Sequence, residues 1–307
     1  WTKSEHNTLD TSHAPEIARI DLARVLLDVL AFHPGDPRAF EFFEAPSKSR
    51  IERALDVLHM LGAVDDARAR LTDLGKELVA LPVHPRVGAM LLAADDVDEA
   101  ALAAAILEDD RVWPRDVARE STDSDLAVLV DHIDRRRFHE IEKTARDLSR
   151  LISRSGNEPL KHALLAGFPD RLCRRRRKGE PEALMVGGRG VVLGRESGVD
   201  ADLFLALALE GSGNNARVRV AEAIALADIA ARTVTADEAV FDGDRLLGVR
   251  RTRFNGLVVD EKSGIAVSPD AAARALAEHV ASDFARYVRI EPGGIPDRIR
   301  FAAKAMP

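Results

Sequence analysis

The sequence predicts an α+β protein of several small domains, helical through its first half and strand-rich afterwards. Three observations carry that expectation. Apolar residues recur at helical spacing up to residue 167, whereas from Pro169 they fall in short runs separated by glycine. Ala, Leu, Arg and Asp dominate while aromatic residues make up only 5% of the chain, which favours helix. The length of 307 residues exceeds one ordinary domain and fits two to four.

Composition narrows the class. Hydrophobic content of 46% beside 31% charged residues is that of a well-folded, water-soluble chain. No apolar run approaches the ~20 residues needed to cross a bilayer, so no membrane partner is expected. Residues 1–30 lack a basic start followed by an apolar core, and no secretory leader is expected. The single cysteine, Cys173, excludes an internal disulfide and a Cys-based zinc cluster. A cytoplasmic location is the default. The chain begins at Trp1 and not Met, as a piece of something larger would.

The helical half divides at its breakers. Pro15-Glu16 opens a helix whose stripe is Ile17, Ile20, Leu22, Val25, Leu26, Val29 and Leu30, and Pro34-Gly35-Asp36-Pro37 ends it. Asp36-Pro37 starts a short helix carrying Phe40, Phe42 and Phe43. Ser47 is the expected cap of another helix, with Ile51, Ala54, Leu55, Leu58 and Leu61 on its buried face and Gly62 as its stop. Ala63-Val64 and Arg70-Leu71 suit a small hairpin, and Thr72 caps a third helix through Leu81. Three short helices with a hairpin before the last form the outline of a winged helix; an ordinary helical bundle fits the same pattern.

Residues 85–168 are read as helix almost throughout. Within them, residues 91–131 hold twelve acidic and three basic side chains, net −9, a surface that repels phosphate. After Pro169 the stretches 171–177, 183–186, 190–193, 203–209, 216–220, 233–241, 245–253 and 257–259 are candidate strands. Glycine-rich turns at 187–188, 211–215 and 242–244 lie between them, the outline of a small barrel or sandwich. Ser268-Pro269-Asp270 caps a final helix.

Catalytic signals are few. No glycine-rich phosphate loop ending in Lys-Ser/Thr and no nucleophile elbow is present. Gly187-Gly188-Arg189-Gly190 suits a hairpin better than a phosphate loop. Cys173 has no partnered His in sequence, and His132 and His139 share a helical face without an evident third metal ligand.

The densest chemical signal in the chain is a run of positive charge. Residues 167–195 hold eight basic and three acidic side chains, net +5, in a chain of net −7. Arg171, Arg174, Arg175, Arg176, Arg177, Lys178 and Arg189 are the candidate contacts to a polyanion backbone. On a strand, Arg171, Cys173, Arg175 and Arg177 would point one way and Arg174, Arg176 and Lys178 the other, so both faces cannot be buried. Arg135, Arg136 and Arg137 on a helix are a second set. Nucleic acid, internal pairing with the acidic segment and an acidic protein partner all remain open on these grounds.

Several segments together resemble the C-terminal half of HrpB-type helicases of the DExH-box class. They are residues 15–22 (PEIARIDL), 61–63 with 71–76 (LGA, LTDLGK), 78–86 (LVALPVHPR), 105–110 (AILEDD), 164–171 (LLAGFPDR) with 188–191 (GRGV), and 254–261 (FNGLVVDE). The resemblance implies a fold: the tail of a second motor domain and a linker helix at 1–34, a winged helix at 35–84 and a helical ratchet bundle at 85–168. An OB-like small β-barrel at 169–267 and the start of a C-terminal helical extension at 268–307 would follow. It implies an accessory region that guides single-stranded RNA or DNA for RecA-like motor domains of the same parent chain. Those motors, with their ATP and Mg, are absent from this sequence, so no cofactor and no independent hydrolysis are expected here. The alternative is a protein-interaction or regulatory module docking on acidic protein surface or on its own motor domains.

Overall fold

The computed structural model describes residues 17, 20–33, 35–116, 120–132, 135–153, 155–211, 215–243 and 245–282, with the side chains of 135–137 left out. The expectations for residues 1–16, Pro34, 212–214 and the 283–307 tail lie outside these. The chain divides into two units, one of residues 1–231 with 255–257 and one of residues 232–254 with 258–307.

In the first unit, α1 (Leu22–Phe32) starts where the Asp21 carboxylate accepts the Ala23 N–H at 2.8 Å. Its buried stripe, Leu22, Ala23, Leu26, Leu27 and Leu30, is set by helical spacing. The Asp36-Pro37 start makes one 3-10 turn, Pro37–Ala39. Helix α2 (Lys48–Met60) buries Ile51, Ala54, Leu55 and Leu58. Ser47 occupies its cap position without a side-chain hydrogen bond to the helix. Gly62 (φ +74°) stops it, with Ala63 N–H returning to the Leu58 carbonyl at 2.9 Å.

Val64 and Leu71 form the small antiparallel bridge, and α3 (Asp73–Ala80) follows. The Thr72 hydroxyl accepts the Gly75 N–H at 3.0 Å and donates to the Gly62 carbonyl at 2.6 Å, tying the stop of α2 to the start of α3. Position 75 requires glycine, since a Cβ there would lie 2.1 Å from the Ala63 carbonyl oxygen. Leu26, Leu27, Leu55, Leu58 and Leu78 share one core. Arg24 of α1 donates to the carbonyls of Leu78, Val79, Leu81 and Val83, placing a cation at the C-terminal end of α3.

Five helices follow: α4 (Pro85–Ala93), α5 (Val97–Glu108), α6 (Asp125–His132), α7 (Arg135–Ser149) and α8 (Leu160–Gly167). Helix α7 packs on α5, and α8 on α4. The α4–α8 approach depends on Gly167, whose Cβ would lie 2.6 Å from the Arg86 carbonyl oxygen and 2.9 Å from Met90 Cβ.

Then come β1 (Leu172–Arg175), β2 (Glu182–Met185), β3 (Gly190–Leu193), β4 (Leu203–Glu210) and β5 (Ala216–Ala223), in a closed barrel of order β1-β2-β3-β5-β4. All neighbours are antiparallel except β3 and β5. Cys173, Ala183, Met185, Val191, Phe204 and Val218 fill its interior.

The expectation of a single barrel across 169–267 is corrected. Pairing of β1 with β4 and of β3 with β5 leaves the barrel no open edge to take more strands. The later strands form a sheet of their own, β6 (Thr233–Asp242), β7 (Arg245–Phe254) and β8 (Leu257–Ser263), in the order β6-β7-β8.

Within the second unit, β6 and β7 pair from Thr233↔Phe254 to Asp242↔Arg245. Helix α9 (Pro269–Ser282) packs on β6, where the Phe241 and His279 rings stack 4.0 Å apart. Gly248 is needed there, since a Cβ would lie 2.1 Å from the Ile265 carbonyl oxygen. Ion pairs Arg250–Asp237 (2.6 Å), Arg251–Glu261 (2.6 Å) and Arg253–Glu238 lace the strands together. No described helix is long and apolar enough to cross a membrane.

Candidate nucleic-acid interface

The run of basic residues is divided by the barrel. Strand β1 is four residues long, shorter than the 171–177 expected, and its partners are Cys173↔Met185 and Arg175↔Ala183. Arg171 therefore lies at the open end of the β1–β2 pair, where the turn Pro169–Arg171 meets the turn Val186–Gly188 before Arg189. Arg176, Arg177 and Lys178 lie at the opposite end, in the hairpin tip. From Arg171 to Arg176 the extended chain runs about 16 Å, at ~3.3 Å per residue.

The open end is built around a buried ion pair. Arg86 grips Asp170 with both guanidinium nitrogens, Nη2 at 2.8 Å from Oδ2, and its side chain is 7% exposed. His84 caps α4 by accepting the Arg86 N–H at 3.2 Å, and its other ring nitrogen is 3.5 Å from Asp21. Burial pulls the Asp21 carboxyl up, but the His84 hydrogen bond and the Ala23 N–H hold it well below the usual carboxylate range. For Asp170, burial again raises, and the Arg86 charge and hydrogen bonds more than offset it, so the carboxyl sits low. Arg171 is half-buried, donates to the Leu207 carbonyl at 2.9 Å and lies 5.3 Å from the Phe168 ring centre. Burial, with the neighbouring Arg86 charge, pushes its guanidinium down to about 10. Arg189 is half-buried and sits in the same electrostatic neighbourhood.

Arg175 corrects the expectation that it contacts phosphate. Its side chain is 5% exposed and turns inside the barrel end, because β1 alternation sends it to the same side as Cys173. Three backbone carbonyls take its protons: Glu180 at 2.5 Å, Val199 at 2.9 Å and Ala201 at 3.0 Å. Its charge also lies 5.7 Å from the Phe204 ring centre and 3.8 Å from Asp200. Cys173 is fully buried, and burial drives its thiol pKa far upward, so it is no nucleophile.

At the tip, Arg176, Arg177 and Lys178 are exposed, and Arg174 is half-buried. Arg177 lies 3.3 Å from Glu180, a contact between solvated groups that is worth little. Among the described residues, Arg176 and Lys178 have no ion-pair partner. Arg195, exposed, follows β3 on this same side of the barrel, where Leu193 N–H bonds the Pro181 carbonyl at 2.8 Å. The backbone of Arg135, Arg136 and Arg137 starts α7; their side chains lie outside the described residues.

Gly187 and Gly188, both at φ +81°, form the β2–β3 turn, in agreement with a hairpin and not a strand-to-helix phosphate loop. Phe168, Phe204 and Phe254 are buried. Among the described residues no group of His, Cys, Asp and Glu could hold a metal ion. Sequence reasoning missed the roles of Arg86 and Asp170, and two buried carboxylates. Asp125 accepts the N–H groups of Gly198 and Ala221, each at 2.9 Å, while Glu222 Oε2 is buried without a partner. Burial raises the pKa of both.

Comparison with known proteins places this geometry. Residues 54–83 match the family model described as "Helicase associated domain (HA2), winged-helix". The chain is 33% identical over 216 residues to the ATP-dependent RNA helicase HrpB of Escherichia coli (strain K12), covering 67% of this chain and 25% of that protein. It is 36% identical over 169 residues to the ATP-dependent RNA helicase HrpA of the same organism, covering 52% and 12%. A crystal structure of Escherichia coli DEAH/RHA helicase HrpB superposes with a TM-score of 0.69 at 22% identity, over 92% of this chain and 36% of that one. A second, of E. coli DExH-box NTPase HrpB, gives 0.68 at 23%.

A helicase-associated winged helix, a helical stretch and a closed five-stranded barrel define the accessory region of a DExH-class helicase. This chain belongs to the C-terminal region of the HrpB type. It spans a quarter or less of the curated helicases HrpB and HrpA, at 25% and 12%.

Proposed function

We propose that the chain guides a single nucleic-acid strand for an ATP-dependent RNA helicase of which it is the accessory part. Helices α4–α8 act as the ratchet and the five-stranded barrel as the OB-like module. ATP, Mg and the RecA-like motors belong to the parent protein. The observation that carries the reading is the hairpin tip, three consecutive exposed cations of which Arg176 and Lys178 have no described ion-pair partner. Such a tip holds phosphates by counterion release, independent of base sequence. Arg174 and Arg189 stand at its flank and at the far end of the strand pair, and Arg171 acts mainly within the fold.

Fluorescence anisotropy of a labelled single-stranded RNA over a salt series tests the reading. Binding that weakens steeply with salt is expected; no binding at low salt would end it. A second reading has its own observation. Phe43 is fully exposed and is close in sequence to the exposed Glu41 and Glu44, a surface suited to an apolar protein partner and unsuited to phosphate. Docking there on the parent's motor domains is compatible with strand contact at the barrel.

A further inference from the structure

Arg175 is the one arginine of the basic run that lies inside the barrel, and its position is instructive. Its guanidinium donates outward from β1 to three carbonyls on two separate loops. Glu180 belongs to the β1–β2 tip, whereas Val199 and Ala201 belong to the segment between β3 and β4. The backbone adds to the same framework. Arg175 N–H bonds the Asp202 carbonyl at 2.9 Å, Arg176 N–H the Glu182 carbonyl at 2.9 Å, and Glu180 N–H the Arg177 carbonyl at 3.1 Å.

The three tip side chains are exposed, the solvated Arg177–Glu180 contact at 3.3 Å being their one described ion pair, and Gly179 beside them (φ +77°) has open space around it. A five-residue loop carrying three long cationic side chains would otherwise lose considerable conformational freedom on meeting a strand. We propose that Arg175 is the positioning residue of the tip, its planar fork fixing residues 176–180 in the shape in which Arg176, Arg177 and Lys178 meet consecutive phosphates.

The proposal deepens the strand-guiding reading and rests on it. Only a guanidinium suits the position, because three carbonyls in fixed directions need a rigid, planar set of donors; an ammonium on a flexible stem reaches one or two. Lysine is therefore not a conservative replacement here.

The test separates the anchor from the strand. In the unaltered 307-residue chain, NMR should show Arg175 guanidinium protons exchanging at least tenfold more slowly than those of Arg177; equal rates would overturn the anchor without any variant. In Arg175→Lys, amide exchange at Arg176, Glu180 and Leu193 should rise about tenfold while β4 and β5 amides keep their protection. Against a labelled single-stranded RNA, the slope of log affinity on log salt should fall by about 1 to 2, at ~0.7 per lost phosphate contact. Unchanged tip exchange in Arg175→Lys, or an unchanged salt slope with a loosened tip, would overturn the positioning role. Undetectable RNA binding by the unaltered chain would instead remove the strand reading, and the role built on it, while the exchange data still report whether the anchor exists.

Discussion

At the open end of the β1–β2 pair, Arg171 bonds a carbonyl of β4 beside a buried Arg86–Asp170 pair; at the tip, Arg176 and Lys178 stand in solvent. Arg171, Arg176 and Lys178 come from a single eight-residue run. What separates their uses is four residues of β1, whose ends face different surroundings. The buried end is electrostatically closed: Arg86 pairs with Asp170, and Arg171 bonds a backbone carbonyl. The tip is electrostatically open. Charge density along a sequence is therefore a poor guide to charge density on a surface, and the contrast makes separable predictions.

The largest effect should come from Asp170→Ala. It leaves the Arg86 guanidinium buried and uncompensated, a loss of about 3–5 kcal/mol of stability, measurable by denaturant unfolding. Replacing both partners, Arg86→Met with Asp170→Leu, should recover most of that, because the desolvation cost disappears with the pair. If the single variant unfolds at the same denaturant concentration as the parent, the Arg86–Asp170 pair does not hold this end together.

The buried carboxylates make a second contrast, in the sign of the pH dependence. Asp170 has a lowered folded-state pKa, so its contribution is present above the usual carboxylate value near 4 and lost as pH falls through the folded value. Glu222 has a raised one, so its contribution is present below its unfolded value and lost as pH rises through the folded value. Glu222→Gln should thus raise stability at neutral pH, by about 1 kcal/mol, and leave it little changed at pH 4. Thermal melts at the two pH values check this; a variant that is less stable at neutral pH contradicts it.

The smallest effect on stability is expected at the tip. Arg176→Ala should stay within about 0.5 kcal/mol of the parent, as exposed substitutions do, while weakening RNA binding severalfold. A stability loss of more than 1 kcal/mol, read from the same denaturant curves, would mean that Arg176 belongs to the fold as Arg175 does.

Much of the architecture was legible in the residues. Helical spacing with Thr72, Gly62 and Pro85 at their boundaries marks the winged helix and α4, because caps and stops are local chemistry. The strands of 172–223 were legible as strands, and so was the hairpin at Gly187-Gly188. Whether β6–β8 extend the barrel was not, since closure depends on which distant edges meet, β1 with β4 and β3 with β5. The same limit governs the site. Alternation places Arg175 with Cys173, but which of two faces points inward is decided by the barrel. The Arg86–Asp170 pair joins positions 84 residues apart, which no local pattern brings together.

The measurement that bears most directly on the tip's role is anisotropy of a labelled single-stranded RNA with the triple charge reversal Arg176→Glu, Arg177→Glu, Lys178→Glu. Strand guiding by the tip predicts a folded chain with an unchanged melting temperature, affinity at low salt reduced at least tenfold, and a salt slope smaller by about 2. Affinity and slope equal to those of the unaltered chain would contradict it.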